Sequence, residues 1–125
     1  MSADPAAPLK RVLLVDDEPA VIHITKRMLE MGGYAVAGAT SAAQGLRMLE
    51  AGAWDLVITD RSMPGMDGEE LATQIKRFAP QLPVLLITGY PDLVVHRERF
   101  VAVLQKPFAS AELLAQVART LGKIA

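Results

Sequence analysis

Short apolar runs alternate with segments of helical periodicity along most of this chain, and this alternation constrains the fold more than any other feature. Five runs have the character of buried strands, at residues 12–15, 34–39, 56–59, 84–87 and 101–105. The segments between them carry apolar residues at three- and four-residue spacing, which is typical of amphipathic helices. Strands that alternate with helices form a parallel sheet covered on both faces. We therefore predict an α/β fold, with a doubly wound five-stranded parallel sheet in the flavodoxin-like order 2-1-3-4-5.

Turn and cap residues predict where the helices begin. The start signals are a proline and three candidate caps, namely Pro19, Ser41 with Gln44, Asp67 with Glu70, and Ser110. Glu18 is expected to cap the first helix, and the alternative is a third acid at the metal. The third helix is expected to bury Leu71, Ala72, Ile75 and Phe78. Gly89 and Pro91 interrupt the pattern after the fourth strand, so the fourth helix is predicted to be short or irregular.

Length and composition favour one domain and exclude several kinds of site. Residues 1–9 are expected to form a flexible tail, and residues 10–125 the domain. The chain has no cysteine, which excludes disulfides, zinc-thiolate sites and thiol catalysis. A net charge of -1 with no basic run gives no basis for nucleic-acid binding. No apolar run reaches the ~20 residues of a membrane span, and no signal peptide is visible, so we expect a cytoplasmic protein.

Polar residues follow four of the five predicted strands at the point where each apolar run ends. They are Asp16-Asp17, Asp60, Thr88 and Lys106. Strands one, three, four and five are neighbours in the predicted order, and parallel strands end at the same edge of a sheet. We therefore expect three carboxylates, one hydroxyl and one ammonium to converge there.

This set of residues predicts a metal-assisted phosphoryl-transfer site. Clustered carboxylates repel one another, and such a cluster either raises the pKa of a carboxylate or recruits a cation. Oxygen ligands without histidine or cysteine favour Mg²⁺, which leaves coordination positions open for phosphate. A carboxylate can act as the nucleophile and form an aspartyl-phosphate, and Asp60 lies at the centre of the predicted cluster. Lys106 and the Thr88 hydroxyl can stabilise charge on the phosphoryl oxygens.

At this point the sequence resembles a known family, the response regulator receiver domain of two-component signalling. The resemblance covers about residue 10 to the C-terminus. The motifs that carry it are Asp16-Asp17, Ile58-Thr59-Asp60, Met63-Pro64-Gly65-Met66-Asp67-Gly68, Thr88 and Lys106-Pro107-Phe108. Each motif is weak alone, but their order and their placement at strand ends are specific.

The resemblance implies roles for individual residues. Asp60 is the expected phosphoacceptor. Asp17 is expected to ligate Mg²⁺ directly and Asp16 largely through water, with Asp60 and the backbone carbonyl of Ser62 as further ligands.

The expected partner is a sensor histidine kinase or a histidine phosphotransfer protein, whose phosphohistidine donates the phosphoryl group. Thr88 and Lys106 are expected to contact that group, and the Lys106–Pro107 peptide bond is expected to be cis. The receiver catalyses its own phosphorylation and is not a turnover enzyme. With little sequence after the last helix, we expect output through contacts with a protein whose identity the sequence does not give.

Three positions are expected to modulate the site. Val103 stands where many receivers carry a tyrosine or phenylalanine that turns inward on activation. The stretch from Thr88 to Lys106 also departs from the family pattern, because it is shorter than is usual by about one helical turn. Ser62 and Tyr90 lie two residues past Asp60 and Thr88, where the family tunes the lifetime of the phosphorylated state. The Thr-Gly-Tyr-Pro sequence at 88–91 resembles receivers attached to hybrid kinases, so a hybrid-kinase fragment and a stand-alone regulator both stay open.

Two other functions fit parts of the pattern. A phosphatase with an aspartyl nucleophile also uses Mg²⁺, but it usually carries the nucleophile after the first strand, where this chain has Asp16-Asp17-Glu18. A docking module that has kept the fold without phosphorylation is favoured by Val103 and the short fourth segment, but it does not explain the intact acceptor set.

Overall fold

A computed structural model of the chain describes residues 8–122. The five strands are β1 (Arg11–Val15), β2 (Ala35–Ala39), β3 (Leu56–Asp60), β4 (Val84–Thr88) and β5 (Ala102–Gln105). The four α-helices are α1 (Pro19–Met31), α2 (Ala42–Ala51), α3 (Gly68–Phe78) and α4 (Ser110–Leu121). The predicted tail falls mainly on residues 1–7, which lie outside the described residues.

All five strands are parallel and lie in the order β2-β1-β3-β4-β5, which confirms the predicted topology. The register places Val15 beside Ala39 on one side and Thr59 on the other. At the same edge, Thr88 of β4 lies beside Gln105 of β5. The carboxyl ends of these strands therefore form one continuous edge.

Alternate residues of the central strands pack into two separate cores, because successive strand side chains point to opposite faces of a sheet. Leu13 and Val15 join the core beneath α2 and α3, whereas Val12 and Leu14 join the core beneath α1 and α4. β3 and β4 are buried along their whole length. This two-sided burial explains why their sequences are continuous apolar runs rather than alternating ones.

Two of the predicted helix caps are present and two are not. Ser41 Oγ accepts a hydrogen bond from Gln44 N at 3.1 Å, and Asp67 Oδ1 accepts one from Glu70 N at 2.9 Å. The prediction for Ser110 is wrong: Ser110 is the first helical residue and Ala109 holds the cap position. There the Glu112 carboxylate accepts a hydrogen bond from Ala109 N at 3.1 Å, so the capping group comes from inside the helix.

Phe78 is not part of the buried face of α3, contrary to the prediction. It is the last residue of the helix and is 49% exposed, whereas Leu71, Ala72 and Ile75 are fully buried. Helical periodicity fixes the direction of a side chain around the axis. It does not determine whether the neighbouring layer extends as far as the last turn.

The connection between β4 and β5 contains two single 3-10 turns, Pro91–Leu93 and Arg97–Arg99, in place of a fourth α-helix. This confirms the predicted irregular segment. Pro91 opens the first turn, where the missing N–H of proline breaks no hydrogen bond. Among residues 8–122, no helix has the length and apolar character needed to cross a membrane.

Candidate functional site

The carboxyl edge of the sheet holds the polar residues that the sequence predicts there. Asp60 and Thr88 are the last residues of β3 and β4, and Asp16 and Lys106 directly follow β1 and β5. Asp16, Asp60 and Thr88 are only 5%, 6% and 3% exposed. Buried polar groups at the end of buried strands need partners, and the partners they have define the site.

Asp60 and Lys106 form a direct ion pair. Lys106 Nζ lies 2.6 Å from Asp60 Oδ1, with 39% of the lysine side chain and 8% of the aspartate side chain exposed. Burial acts to lower the pKa of Lys106, but the hydrogen bond and charge of Asp60, with Asp16 and Glu18, outweigh it and raise that pKa above its usual value. Lys106 therefore stays positively charged at neutral pH, within reach of the Asp60 carboxylate.

Asp16, Asp17 and Glu18 bring three carboxylates together after β1. One oxygen from each lies within 4.8 Å of the others. The pKa of Asp16 is raised, mainly because its carboxyl is buried. A hydrogen bond from Glu18 N at 2.9 Å acts to lower this pKa, whereas the negative charges of Asp60 and Asp17 raise it further. A bound cation would stabilise carboxylates that lie this close together, because it offsets the repulsion between their charges.

Glu18 lies at the predicted cap position of α1, but its side chain makes no capping hydrogen bond. Its carboxylate belongs to the acidic cluster instead.

The donor chemistry of this edge fits a hard divalent cation. The cluster offers carboxylate oxygens only, and the charge of Asp60 acts on Asp16 from the next strand. Oxygen ligands of this kind suit Mg²⁺ better than zinc or copper. Asp60 is paired with Lys106 and is not one of the three acids that lie together at residues 16–18. Ser62 is an exposed residue of the loop that follows β3.

Thr88 links the site to both ends of the β4–β5 connection. Its hydroxyl accepts a hydrogen bond from Tyr90 N at 3.0 Å, and its carbonyl accepts one from Lys106 N at 2.9 Å. The Tyr90 side chain is 69% exposed.

Val103 packs against the core beneath α2 and α3. The Lys106–Pro107 peptide bond is cis.

One close approach places the start of α3 against the end of β3. Gly68 N donates to Arg61 O at 2.9 Å. A Cβ added at Gly68 would lie 2.3 Å from Asp60 O and 3.0 Å from Arg61 Cα. Only glycine fits in this space, which accounts for Gly68 in the Asp67-Gly68 sequence.

The pairing of Arg61 with Glu69 is not among the contacts predicted from the sequence. Arg61 Nε lies 3.0 Å from Glu69 Oε2, and their side chains are 22% and 12% exposed. Eight positions separate the two residues, across a loop and the start of a helix. No periodicity or motif in the sequence indicates such a contact.

The sequence profile of the family described as "Response regulator receiver domain" matches residues 12–118. The chain is 41% identical to the response regulator protein FleR of Pseudomonas aeruginosa over 119 residues, which are 91% of this chain and 25% of FleR. It is 31% identical to the receiver protein CpdR of Brucella abortus over 117 residues, 90% of this chain and 98% of CpdR. The chain thus spans about a quarter of the length of relatives such as FleR and nearly all of CpdR.

Solved structures match over nearly the whole fold. The response regulator TrrA of Thermotoga maritima, solved in complex with Mg²⁺ and BeF, superposes with a TM-score of 0.84 at 31% identity. That match covers 90% of this chain and 100% of the TrrA chain.

Proposed function

This chain belongs to the family of response regulator receiver domains, and on that premise we propose that Asp60 accepts a phosphoryl group from a phosphohistidine in a Mg²⁺-dependent reaction. The donor is a sensor histidine kinase or a histidine phosphotransfer protein. The domain then acts through contacts with another protein. Domains of this family serve in signalling and are not turnover enzymes.

The pairing of Asp60 with Lys106 is the observation that carries this proposal. Lys106 Nζ holds Asp60 Oδ1 at 2.6 Å, so we assign the attack on phosphorus to the other carboxylate oxygen, Oδ2. A new O–P bond forms there as the N–P bond of the phosphohistidine breaks. The bonding electrons stay on the imidazole nitrogen, which then takes up a proton.

Lys106 and Thr88 would stabilise the transferred group. Phosphoryl transfer depends mainly on position and on stabilisation of charge at the oxygens. Lys106 supplies a positive charge at the end of β5. The Thr88 hydroxyl accepts from Tyr90 N, which leaves its own hydrogen available to a phosphoryl oxygen.

Mg²⁺ would be held by Asp17, by Asp16 largely through water, by Asp60 and by the backbone carbonyl of Ser62. Bound there, Mg²⁺ would supply positive charge to the phosphoryl oxygens. The acidic cluster of residues 16–18 supports this assignment, as does the Mg²⁺ in the solved structure of the relative TrrA. Glu18 contributes further negative charge at the same edge.

Tyr90 and Ser62 are proposed to set the lifetime of the phosphorylated state. Tyr90 is 69% exposed and its backbone is fixed to Thr88, so its ring can obstruct the approach of water to the acyl phosphate. We expect Tyr90→Ala to change the rate of dephosphorylation after the phosphodonor is removed. An unchanged rate would remove Tyr90 from this role.

The direct test is incubation with acetyl phosphate, read by intact mass. We expect a gain of one phosphoryl group with Mg²⁺, no gain after chelation with EDTA, and no gain for Asp60→Asn. Thr40→Ala, which changes an exposed residue at the neighbouring end of β2, is the control and should label as the parent does. A parent that gains no mass with Mg²⁺ present would contradict the proposal, and multiple turnover of a small phosphomonoester would favour the phosphatase.

A further inference from the structure

The segment between β4 and β5 is held by α3 rather than by a helix of its own. Glu69 Oε1 accepts hydrogen bonds from Val95 N at 2.9 Å and from His96 N at 3.2 Å. Arg61 Nη2 donates to Leu93 O at 3.2 Å. The ion pair between Arg61 and Glu69 therefore binds three backbone groups of this segment, at residues 93, 95 and 96.

A second contact extends the attachment along α3. The Arg99 guanidinium donates to Thr73 Oγ1, and that hydroxyl donates to Glu69 O at 3.0 Å. Arg99 belongs to the second 3-10 turn, so that turn is joined to α3, whereas the first turn is joined through Leu93 O to Arg61 in the loop before α3. The segment 93–99 thus depends on side chains of the acceptor loop and α3 for its conformation.

The Arg61–Glu69 pair is placed to make this attachment strong. The Glu69 side chain is only 12% exposed and accepts from two backbone amides and one guanidinium. Hydrogen bonds to an ionised carboxylate are stronger than neutral ones, and more so where water is excluded. Removing the carboxylate would leave two amides and a guanidinium without their partner.

The same pair is directly connected to the acceptor. Arg61 follows Asp60 in the chain, its N–H donates to Ile87 O at 2.9 Å, and its carbonyl accepts from Gly68 N at 2.9 Å. A Cβ added at Gly68 would clash with Asp60 O, so the backbone of Asp60 and the start of α3 are in close contact. At its other end, the β4–β5 segment is joined to the site through Thr88 Oγ1 and Tyr90 N.

We propose that the Arg61–Glu69 pair is a latch that positions the 93–96 segment and releases it when Asp60 is phosphorylated. This inference rests on the proposed function. A phosphoryl group on Asp60 would add negative charge at the residue that precedes Arg61 in the chain, and this charge would compete with Glu69 for the Arg61 guanidinium. Loss of that contact frees the backbone that presents Leu93 and Val95, which are 57% and 72% exposed, and so changes the surface offered to a partner.

Hydrogen exchange of the Val95 and His96 amides, measured by NMR on the full chain, tests the latch. With Mg²⁺ and acetyl phosphate, we expect these amides to exchange about fivefold faster or more in the parent. Without phosphodonor, Glu69→Ala should raise the same rates about tenfold or more, and phosphodonor should then add little. Arg61→Ala should also remove the response to phosphodonor.

Glu70→Ala is the matched control, because Glu70 is an exposed acid of the same helical turn. Its exchange rates and its response should equal those of the parent. Intact mass measured on each sample separates two kinds of failure. A parent that gains phosphate but shows no change at Val95 and His96 overturns the latch alone, and so does Glu69→Ala with parental exchange. A parent that gains no phosphate overturns the proposed function and the latch with it.

Discussion

At the scale of single residues, the site combines an ion pair, whose charges balance, with a cluster of acids, whose charges do not. Asp60 has Lys106 as its partner, whereas Asp16, Asp17 and Glu18 have one another. The first arrangement is balanced within the protein. The second is not, and that imbalance is the physical reason to expect a cation at this edge.

Replacing Asp17 tests the acidic cluster. Asp17→Asn keeps the shape of the side chain but removes one negative charge, so we expect Mg²⁺ affinity to fall about tenfold or more. Isothermal titration of Mg²⁺ measures this. Glu50→Gln, an exposed acid of α2, is the control and should bind as the parent does; a parental affinity in Asp17→Asn would show that Asp17 is not a ligand.

The Glu69 carboxylate gives a prediction for stability against pH. Burial acts to raise its pKa, but hydrogen bonds from His96, Val95 and Arg61 outweigh it and hold that pKa below the usual 4.5. A carboxyl with a lowered folded-state pKa stabilises the fold fully above its unfolded pKa, and this contribution is lost as pH falls through the folded pKa. The charged groups nearest to this carboxylate are Arg61, whose Nε lies 3.0 Å from Glu69 Oε2, and the pair of His96 with Glu98 at 3.5 Å.

We therefore expect the stability of the parent to fall more steeply below pH 4.5 than that of Glu69→Gln. Urea denaturation at a series of pH values from neutral to acidic measures this difference. Glu70→Gln should follow the parent. Parallel curves for the parent and Glu69→Gln would contradict the prediction.

The residues at strand ends could be predicted from the sequence, whereas the latch could not. Asp16, Asp60, Thr88 and Lys106 stand where apolar runs stop, and parallel strands end at one edge. The contact between Glu69 and the amides of Val95 and His96 joins residues 26 and 27 positions apart. It depends on the path of an irregular segment, which no repeating pattern encodes.

At the scale of elements, the type of each helix and strand can be predicted from the sequence better than the residues at which it begins and ends. β2 and β5 each begin one residue later than predicted, at Ala35 and Ala102. Ser110 was a reasonable cap by residue type, but the Glu112 carboxylate already satisfies Ala109 N. End positions depend on such local competition, which residue preferences alone do not resolve.

Packing of α3 against the acceptor strand gives a test at this scale. We expect Gly68→Ala to destabilise the fold by about 1–3 kcal/mol, because its Cβ would lie 2.3 Å from Asp60 O and 2.9 Å from Leu86 Cδ1. Gly89→Ala is the matched control, since nothing lies within 4 Å of its added Cβ. Urea denaturation of both variants measures the difference, and equal stabilities would contradict the packing described.

At the scale of the whole molecule, one sheet separates two apolar cores. Leu71 is buried in the core beneath α2 and α3, and Leu113 in the core beneath α1 and α4. We expect Leu71→Ala and Leu113→Ala each to cost about 2–5 kcal/mol. Because the two side chains share no core, the losses in the double variant should add within about 0.5 kcal/mol.

Denaturant unfolding followed by far-ultraviolet circular dichroism and by Trp54 fluorescence measures these losses. Both probes should report one transition, since the strands of one sheet contribute to both cores. Leu9→Ala, at an exposed position before β1, is the control and should unfold with the parent. Separate transitions for the two probes would contradict a single cooperative unit.

The order of the strands could be predicted because a chain in which strands alternate with helices has only a few allowed sheet topologies. That order alone brings Asp16, Asp60, Thr88 and Lys106 to one edge. The position of the acceptor therefore follows from the topology of the whole chain. Its chemistry then depends on the few side chains that meet there.

Reductive trapping of the phosphorylated protein tests the central claim most directly. Borohydride reduces an acyl phosphate on aspartate to homoserine, and tandem mass spectrometry locates the reduced residue. After incubation with Mg²⁺ and acetyl phosphate, we predict homoserine at position 60 and its absence without phosphodonor. Homoserine at position 16 or 17, or a stable phosphate on another residue with position 60 unmodified, would contradict the assignment of Asp60 as the acceptor.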